Sequence, residues 1–361
     1  VDARKSLAAL MAGTLEAWPF DPALDADETL AWAQSEGVVA LVAVRLREGL
    51  AGTPEPVRRA FEEAARGDAA RLMMRQAEAR RVLAGFAKAD IPVLLLKGSA
   101  LAYWAWPAPY LRDCVDVDLL FASREAAMAA ATLLASDGYV RRQHFGEAVT
   151  REFLCLRQMP NGSRLEMDMH WDLTSEPLFR DRFGFEALLA SSIPLPTLSP
   201  DARGLSPVHA LLHACVHRAS NLASGGGDSL KWLYDLHLVA GALDEAGWET
   251  LCAQAVDRGL AGVCADGFSN AAWLFATPLP ETAMAALRRA SAKEALDLTR
   301  LRKWSYFQRQ NLRALPGWRA RLRWIWQRLR PTSHYREDVG VVGGGLLRDR
   351  VQRALRQLRR R

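Results

Sequence analysis

The hydrophobic pattern changes period several times along this chain. Near the start, Leu7, Leu10, Met11, Leu15 and Trp18 recur at helical spacing, and Asp25-Ala26-Asp27-Glu28 has the acidic character of a first helical turn. Pro54 to Gly85 continues as a long Ala/Glu/Arg-rich helical pattern, carried on to Phe86 by Leu72, Met73, Ala79, Val82 and Leu83. A short apolar run from Val93 to Leu96 then breaks at Lys97-Gly98-Ser99, which reads as strand, tight turn and helix start. Leu119-Leu120-Phe121 is a second apolar run, entered through Asp116-Val117-Asp118, and residues 126–136 return to a helical period. Residues 163–173 alternate strictly: Arg164, Glu166, Asp168, His170 and Asp172 share one face, and Leu165, Met167, Met169, Trp171 and Leu173 the other. The run Phe153-Leu154-Cys155-Leu156 and the turn pair Asn161-Gly162 make this strand the second arm of a hairpin.

Strand, helix, strand, helix and hairpin in that order predict an α/β (α+β) core built on a mixed sheet. The predicted organisation is an N-terminal helical segment over 1–90, the core over 91–200, a C-terminal helical domain over 201–315 and a basic tail over 316–361. Within the C-terminal part, residues 193–198 read as a proline-interrupted edge strand. Ser206-Pro207 reads as the N-cap and first position of a helix. His209, His213 and His217 fall on one side of that helix at four-residue spacing. A zinc site and core, substrate-facing or capping roles are the competing readings, and no glutamate base accompanies the first pair. Asp228, after a glycine-rich loop, is the expected N-cap of the next helix, which carries Lys231, Asp235 and His237 on an apolar pattern. Asp235 either pairs with an Arg or Lys of the fold or faces a cleft. Residues 241–315 read as further helices, DEAGWETLCAQAVDRGL and TAMAALRRASAKEALDLTRL among them.

The net charge of +6 conceals a split. From Arg300 onward eighteen Lys/Arg face three Asp/Glu, a surplus of +15, so the preceding residues carry −9. In the tail, Trp318 to Arg330 interleaves aromatics with arginines. It is open to three readings: a helix on an anionic membrane, a nucleic-acid contact, or a helix packing its tryptophans on the domain with its arginines in water. Gly340-Val341-Val342-Gly343-Gly344-Gly345 lacks the Lys-[Ser/Thr] of a phosphate loop and reads as a hinge, and the final basic segment adds charge with little apolar area. Five cysteines without a CxxC pair suit a reducing compartment. Neither a signal peptide nor a membrane span is expected, since no run approaches about 18 apolar residues. A cytoplasmic location follows, peripheral at the inner membrane face under the membrane reading of the tail.

The chemistry concentrates between Lys97 and His170. Asp116 and Asp118 lie two apart on a strand and so share a face, where two carboxylates repel unless a cation neutralises them. A hard divalent ion with oxygen ligands, most simply Mg²⁺, fits. If the alternating strand lies alongside, Asp168 reaches the same ion.

A Gly-Ser turn, a helix, Asp-x-Asp on a strand and a third Asp on a neighbouring strand resemble the polymerase-beta-type nucleotidyltransferase superfamily. LLLKGSAL, then Tyr110 and Arg112 ahead of DVDLLF, then MDMHWDL resemble its branch of uncharacterised nucleotidyltransferases. The likeness continues through His217 and LKWLYDLHLVA and covers roughly Ala79 to Ala240. One departure is the sixteen residues between Ser99 and Asp116, longer than the superfamily's commonest spacing. The resemblance implies a small mixed-sheet nucleotidyltransferase core that binds a nucleoside triphosphate such as ATP at the Gly98-Ser99 turn, with Lys97 and Arg112 as counter-charges. It implies Asp116, Asp118 and Asp168 as ligands of two Mg²⁺ ions, and transfer of a nucleoside monophosphate to an acceptor hydroxyl with release of pyrophosphate. His170, His217 and Asp235 are further candidates for contact with ligands or substrate. Relatives met near bacterial polysaccharide and ribosomal-peptide gene clusters imply a sugar or peptide acceptor. A kinase-like phosphotransferase and a non-catalytic scaffold with a basic docking tail are the alternatives.

Overall fold

The computed structural model describes residues 3–21, 26–159 and 162–338. Asp25, Asn161, the 340–345 glycine stretch and the basic segment after it lie outside the described residues. The N-terminal helical patterns form α1 (Ala3–Ala12), α2 (Ala26–Glu36), α3 (Val39–Arg47) and α4 (Glu55–Lys88). Leu15 and Trp18 fall beyond α1 because Gly13, at φ 70°, turns the chain out of the helix. α4 has 34 residues, about 50 Å of helix, enough to serve two cores. Its Val57 and Phe61 join the helical core, while Ala79, Val82, Leu83 and Phe86 cover the sheet.

The strands are β1 (Leu94–Leu95), β2 (Val117–Leu120), β3 (Val140–Arg142), β4 (Glu152–Gln158), β5 (Arg164–His170), β6 (Ile193–Pro194) and β7 (Arg203–Gly204). They form one mixed sheet in the order β3-β4-β5-β2-β1-β7-β6. β2 pairs parallel to β5 and β1 parallel to β7, and the other pairs are antiparallel. The acid-bearing β2 is thus the central strand, and all four of its residues are buried. Period-2 alternation divides the sheet's faces. Val117, Leu119, Leu165, Met167 and Met169 pack under α4 and α6 (Arg124–Ser136), whose N-cap Ser123 accepts from Ala126 N. Asp118, Leu120, Asp168 and His170 take the opposite face, where Leu94, Leu96 and Leu120 meet the helical core. Each large apolar side chain buried in this way is worth about 1.5–3 kcal/mol.

Two local expectations are corrected here. The helix after Lys97-Gly98-Ser99 is only five residues, α5 (Lys97–Leu101), followed by turns and a 3₁₀ turn at Pro109–Leu111. Pro107 and Pro109 lack amide hydrogens and push their predecessors out of the helical region. The alternation of β5 stops at His170: Leu173 joins the helical core, and Asp172 turns back to accept from Asp181 N at 2.8 Å.

Beyond α7 (Phe185–Ala190) and the β6–β7 edge come α8 (Pro207–Ala223), α9 (Leu230–Ala240), α10 (Glu245–Asp257), α11 (Ala261–Phe275) and α12 (Glu281–Ser291). α13 (Trp304–Ala314), α14 (Gly317–Leu329) and α15 (Ser333–Asp338) follow. Ser206 caps α8 as its sequence predicts. Asp228 does not cap α9, whose N-cap is Ser229; its carboxylate instead accepts from Arg218 Nε and Nη2 at 2.8 and 2.6 Å. Arg218 is 2% exposed, and a guanidinium so deep needs that partner. The predicted helix through 282–301 stops at Ser291, because Glu294 is drawn away to accept from Ala261 N and Gly262 N at the start of α11. α1 and α3 share their core with α8 to α12.

Candidate active site

The sheet register places the acids. β2 against β5 sets Asp118 opposite Asp168 and Leu120 opposite His170, while β4 against β5 sets Glu152 opposite His170. The three strands thereby bring Asp118, Asp168, His170 and Glu152 to one face. His170 is the hub: its Nε2 lies 3.1 Å from Asp118 Oδ1 and 3.2 Å from Asp168 Oδ2, and its Nδ1 lies 2.9 Å from Glu152 Oε2. Lys97 completes the cluster from the β1–α5 turn, with Nζ 2.6 Å from Asp118 Oδ1. Its φ of 50° is the left-handed region, uncommon for a lysine.

The turn is stitched to the acid strand. Ser99 Oγ accepts from Asp118 N at 3.0 Å and donates to Asp116 O at 3.3 Å, and Leu96 N donates to Asp118 O at 3.0 Å. Gly98 lies so close to the loop before β2 that a Cβ there would stand 2.5 Å from Cys114 Sγ and 3.0 Å from Arg112 Cζ. Only glycine fits without displacement.

The charges respond to this crowding. Burial works against ionising Asp118, yet Lys97 and His170 hold its carboxyl well below the usual range. Burial likewise opposes a proton on His170, but Asp168 and Asp118 raise its affinity for one well above that of a free imidazole. Asp116, on the same face at the entrance to β2, is pushed up to about 7 by burial and then by Asp118. Asp168 is raised, chiefly by burial. A set of carboxylates this dense calls for positive charge.

Among the described residues one group of His, Cys, Asp and Glu could hold a metal: Asp118, Asp168 and His170, with ligand atoms all within 4.8 Å of one another. Asp116 is outside that tight group. The two carboxylates suit a hard divalent ion; Lys97 and the protonated His170 are the cations the chain itself supplies, and His170 could ligate only after giving up that proton. The row of histidines on α8 makes no such group: His209 turns to Ser206 and Ser191, while His213 and His217, their rings 6.3 Å apart, face the sheet's acid side.

A cavity of ≈180 Å³ opens on this face, lined by Lys97, Gly98, Asp116 and Asp118 on one side and by His213, His217, Lys231 and Trp232 on the other. Asp235 also lines it, and its carboxylate is engaged by Arg112, whose Nε and Nη2 donate at 2.9 and 2.7 Å, and by Trp106 Nε1 at 2.8 Å. Arg112 Nη1 donates to Asp113 O, so all three of its nitrogens are occupied in the protein. His213 Nε2 and Trp104 Nε1, both in the cavity wall, are buried with no protein partner. The structure thus joins Lys97, Asp118, Asp168 and His170 directly, sets Asp116, Gly98 and His217 around the same cavity, and places Ser99 beneath. The sequence marks His213 and Lys231 only as members of helical patterns, and nothing in it marks Glu152 or Trp104. Only the strand register and helix phase bring them in.

A family model described as uncharacterised nucleotidyltransferase matches residues 22–276, more than two thirds of the chain. No curated protein and no solved structure matches.

Proposed function

Because the chain belongs to the uncharacterised nucleotidyltransferase family, we propose that it moves a nucleoside monophosphate from a nucleoside triphosphate to a hydroxyl of a small-molecule, sugar or peptide acceptor. The bond from the α-phosphorus to its bridging oxygen breaks, a bond from the acceptor oxygen forms, and pyrophosphate leaves. The observation that carries this reading is the pairing of Asp118 with Asp168 across adjacent parallel strands, with His170 between them, beside a cavity floored by the Lys97-Gly98 turn.

Asp116, Asp118 and Asp168 would hold Mg²⁺, in one or two ions, which when bound neutralises phosphate and acceptor oxygens. Lys97 would exchange its apo partner Asp118 for a phosphate oxygen, and Lys231 would approach the triphosphate from α9. Asp168, the more basic carboxylate of the pair, would accept the acceptor's proton. Arg112 would serve by bracing the Gly98 turn against Asp235, since its nitrogens are taken. His213 Nε2 and Trp104 Nε1 would meet polar atoms of the nucleotide or acceptor.

Calorimetric titration of MgATP and the other nucleoside triphosphates into the wild type and a folded Asp118→Asn/Asp168→Asn variant tests the site, and label tests the chemistry. Metal-dependent binding lost in the variant, with α-label passing to product, is the expected result. Passage of γ-label would make the protein a kinase. Absence of binding in a well-folded wild type would leave a scaffold.

A further inference from the structure

α14 carries its apolar residues on the wrong side for a helix that only packs on its own domain. Its inner face is fixed: Trp324 is buried with Val149 and Leu315, and Gln327 Oε1 accepts from Ala148 N at 2.8 Å. The chain after it is fastened too, with Thr332 N donating to His144 O at 3.0 Å and Arg142 paired to Glu337 and Asp338. With that phase set, Trp318, Leu322, Ile325, Trp326 and Leu329 point outward, 65, 56, 37, 55 and 44% exposed.

At about 100° per residue these five fall within a single sector roughly 100° wide. On one side the sector is bordered by Arg319, Arg323 and Arg330 and on the other by Arg321, while Arg328 lies over the buried Trp324 ring, 4.8 Å from its centroid; the helix has no acid. Arg319 and Arg330 lie over the rings of Trp318 and Trp326, 5.4 and 5.3 Å from their centroids.

We propose that this face of α14 docks on an anionic lipid bilayer, the apolar stripe entering the headgroup boundary and Arg319, Arg321, Arg323 and Arg330 meeting lipid phosphates. Trp and Arg are the side chains suited to that boundary. Thirteen residues make about 20 Å of helix, short of the roughly 30 Å hydrocarbon core, so the helix lies on the membrane and does not cross it. Nucleic acid fits the face less well, because Leu322, Ile325 and Leu329 offer no ring for base stacking. A second copy packing stripe to stripe about a two-fold axis would bring like-charged arginine borders together. The inference is independent of the transfer reaction.

The test is flotation of the full chain with vesicles of phosphatidylcholine alone and of phosphatidylcholine mixed with phosphatidylglycerol. We compare wild type, Trp318→Ala/Leu322→Ala/Trp326→Ala and Arg319→Gln/Arg321→Gln/Arg323→Gln, after matching their melting temperatures. Wild type is expected to float with the anionic vesicles only. Each triple variant should lose on the order of tenfold in partitioning, although the apolar variant keeps every positive charge. Equal flotation of the apolar variant, equal binding to neutral vesicles, or no binding to either overturns the proposal. So does sedimentation showing that the stripe instead holds two copies together, or a duplex oligonucleotide that binds through these residues while vesicles do not.

Discussion

Lys97 Nζ and Asp118 Oδ1 lie 2.6 Å apart, joining the first residue of α5 to the centre of the sheet. The same Asp118 belongs to the group that could hold a metal ion. Burial opposes charge on Lys97, but Asp118, Asp168 and Glu152 keep it protonated above its ordinary range. Under the proposed function, lysine and metal would compete for one carboxylate.

Lys97→Met follows directly from that competition. Without divalent cation it leaves Asp118 short of a counter-charge, and we expect a loss of about 2–4 kcal/mol. Mg²⁺ should restore more stability to the variant than it adds to the wild type, since binding to the folded state alone is stabilising. Denaturant titrations in EDTA and in Mg²⁺ measure both. An identical metal response in the two proteins sinks the competition.

Arg112 and Asp235 form a two-bond ion pair, each 5% exposed, with Trp106 as a further donor. Asp235→Ala should cost about 3–5 kcal/mol by stranding the guanidinium, whereas Arg112→Met/Asp235→Leu should cost clearly less than the two single changes together. A double-mutant cycle in urea reads the coupling. Additive losses would show that the pair does not act as a unit.

Much of the acid cluster was legible in the sequence because period 2 is a geometric constraint. Asp116-Val117-Asp118 and the alternation around Asp168 and His170 fix which side chains share a face, wherever the strands go. Glu152 was not legible. A two-residue turn at Asn161-Gly162 would set residue 153 opposite His170, while the observed register sets Glu152 there, and one residue decides which side chain faces the site. The partner of Arg112 was equally hidden, because Asp235 lies 123 positions away and nothing local selects it over a phosphate. The period of α14 was visible, but its phase was not: of its three tryptophans only Trp324 packs inward, beside Ala320, and that choice depends on the loop carrying Val149.

Gly98→Ala tests the tight seat of the turn. Its methyl carbon would meet Cys114 Sγ at 2.5 Å and Arg112 at 3.0 Å, so one must move. We expect about 1–3 kcal/mol of destabilisation and a larger fractional loss of nucleotide binding, since displacement of the turn carries Lys97 with it. Adding Cys114→Ala removes the nearer clash and should recover part of both. Thermal melts and calorimetry on the three proteins check this, and a fully stable Gly98→Ala with unchanged binding would contradict the packing argument.

The pH dependence of folding has a source in α8. Burial, aided by the positive Lys97, depresses His213 to about 3, and His217 is driven down by burial and the same charge. Both imidazoles are neutral when folded but take up protons near 6.5 when unfolded. The unfolded chain then binds more protons, so their stabilisation is complete above about pH 6.5 and is lost as pH falls below it. Each group contributes up to about 1.4 kcal/mol per pH unit over that range. His213→Asn/His217→Asn should flatten the slope of unfolding free energy between about pH 6.5 and 5, a window above the titration of most carboxylates. Urea unfolding at closely spaced pH values measures it, and a slope unchanged in the double variant would mean that acid sensitivity arises elsewhere in the chain.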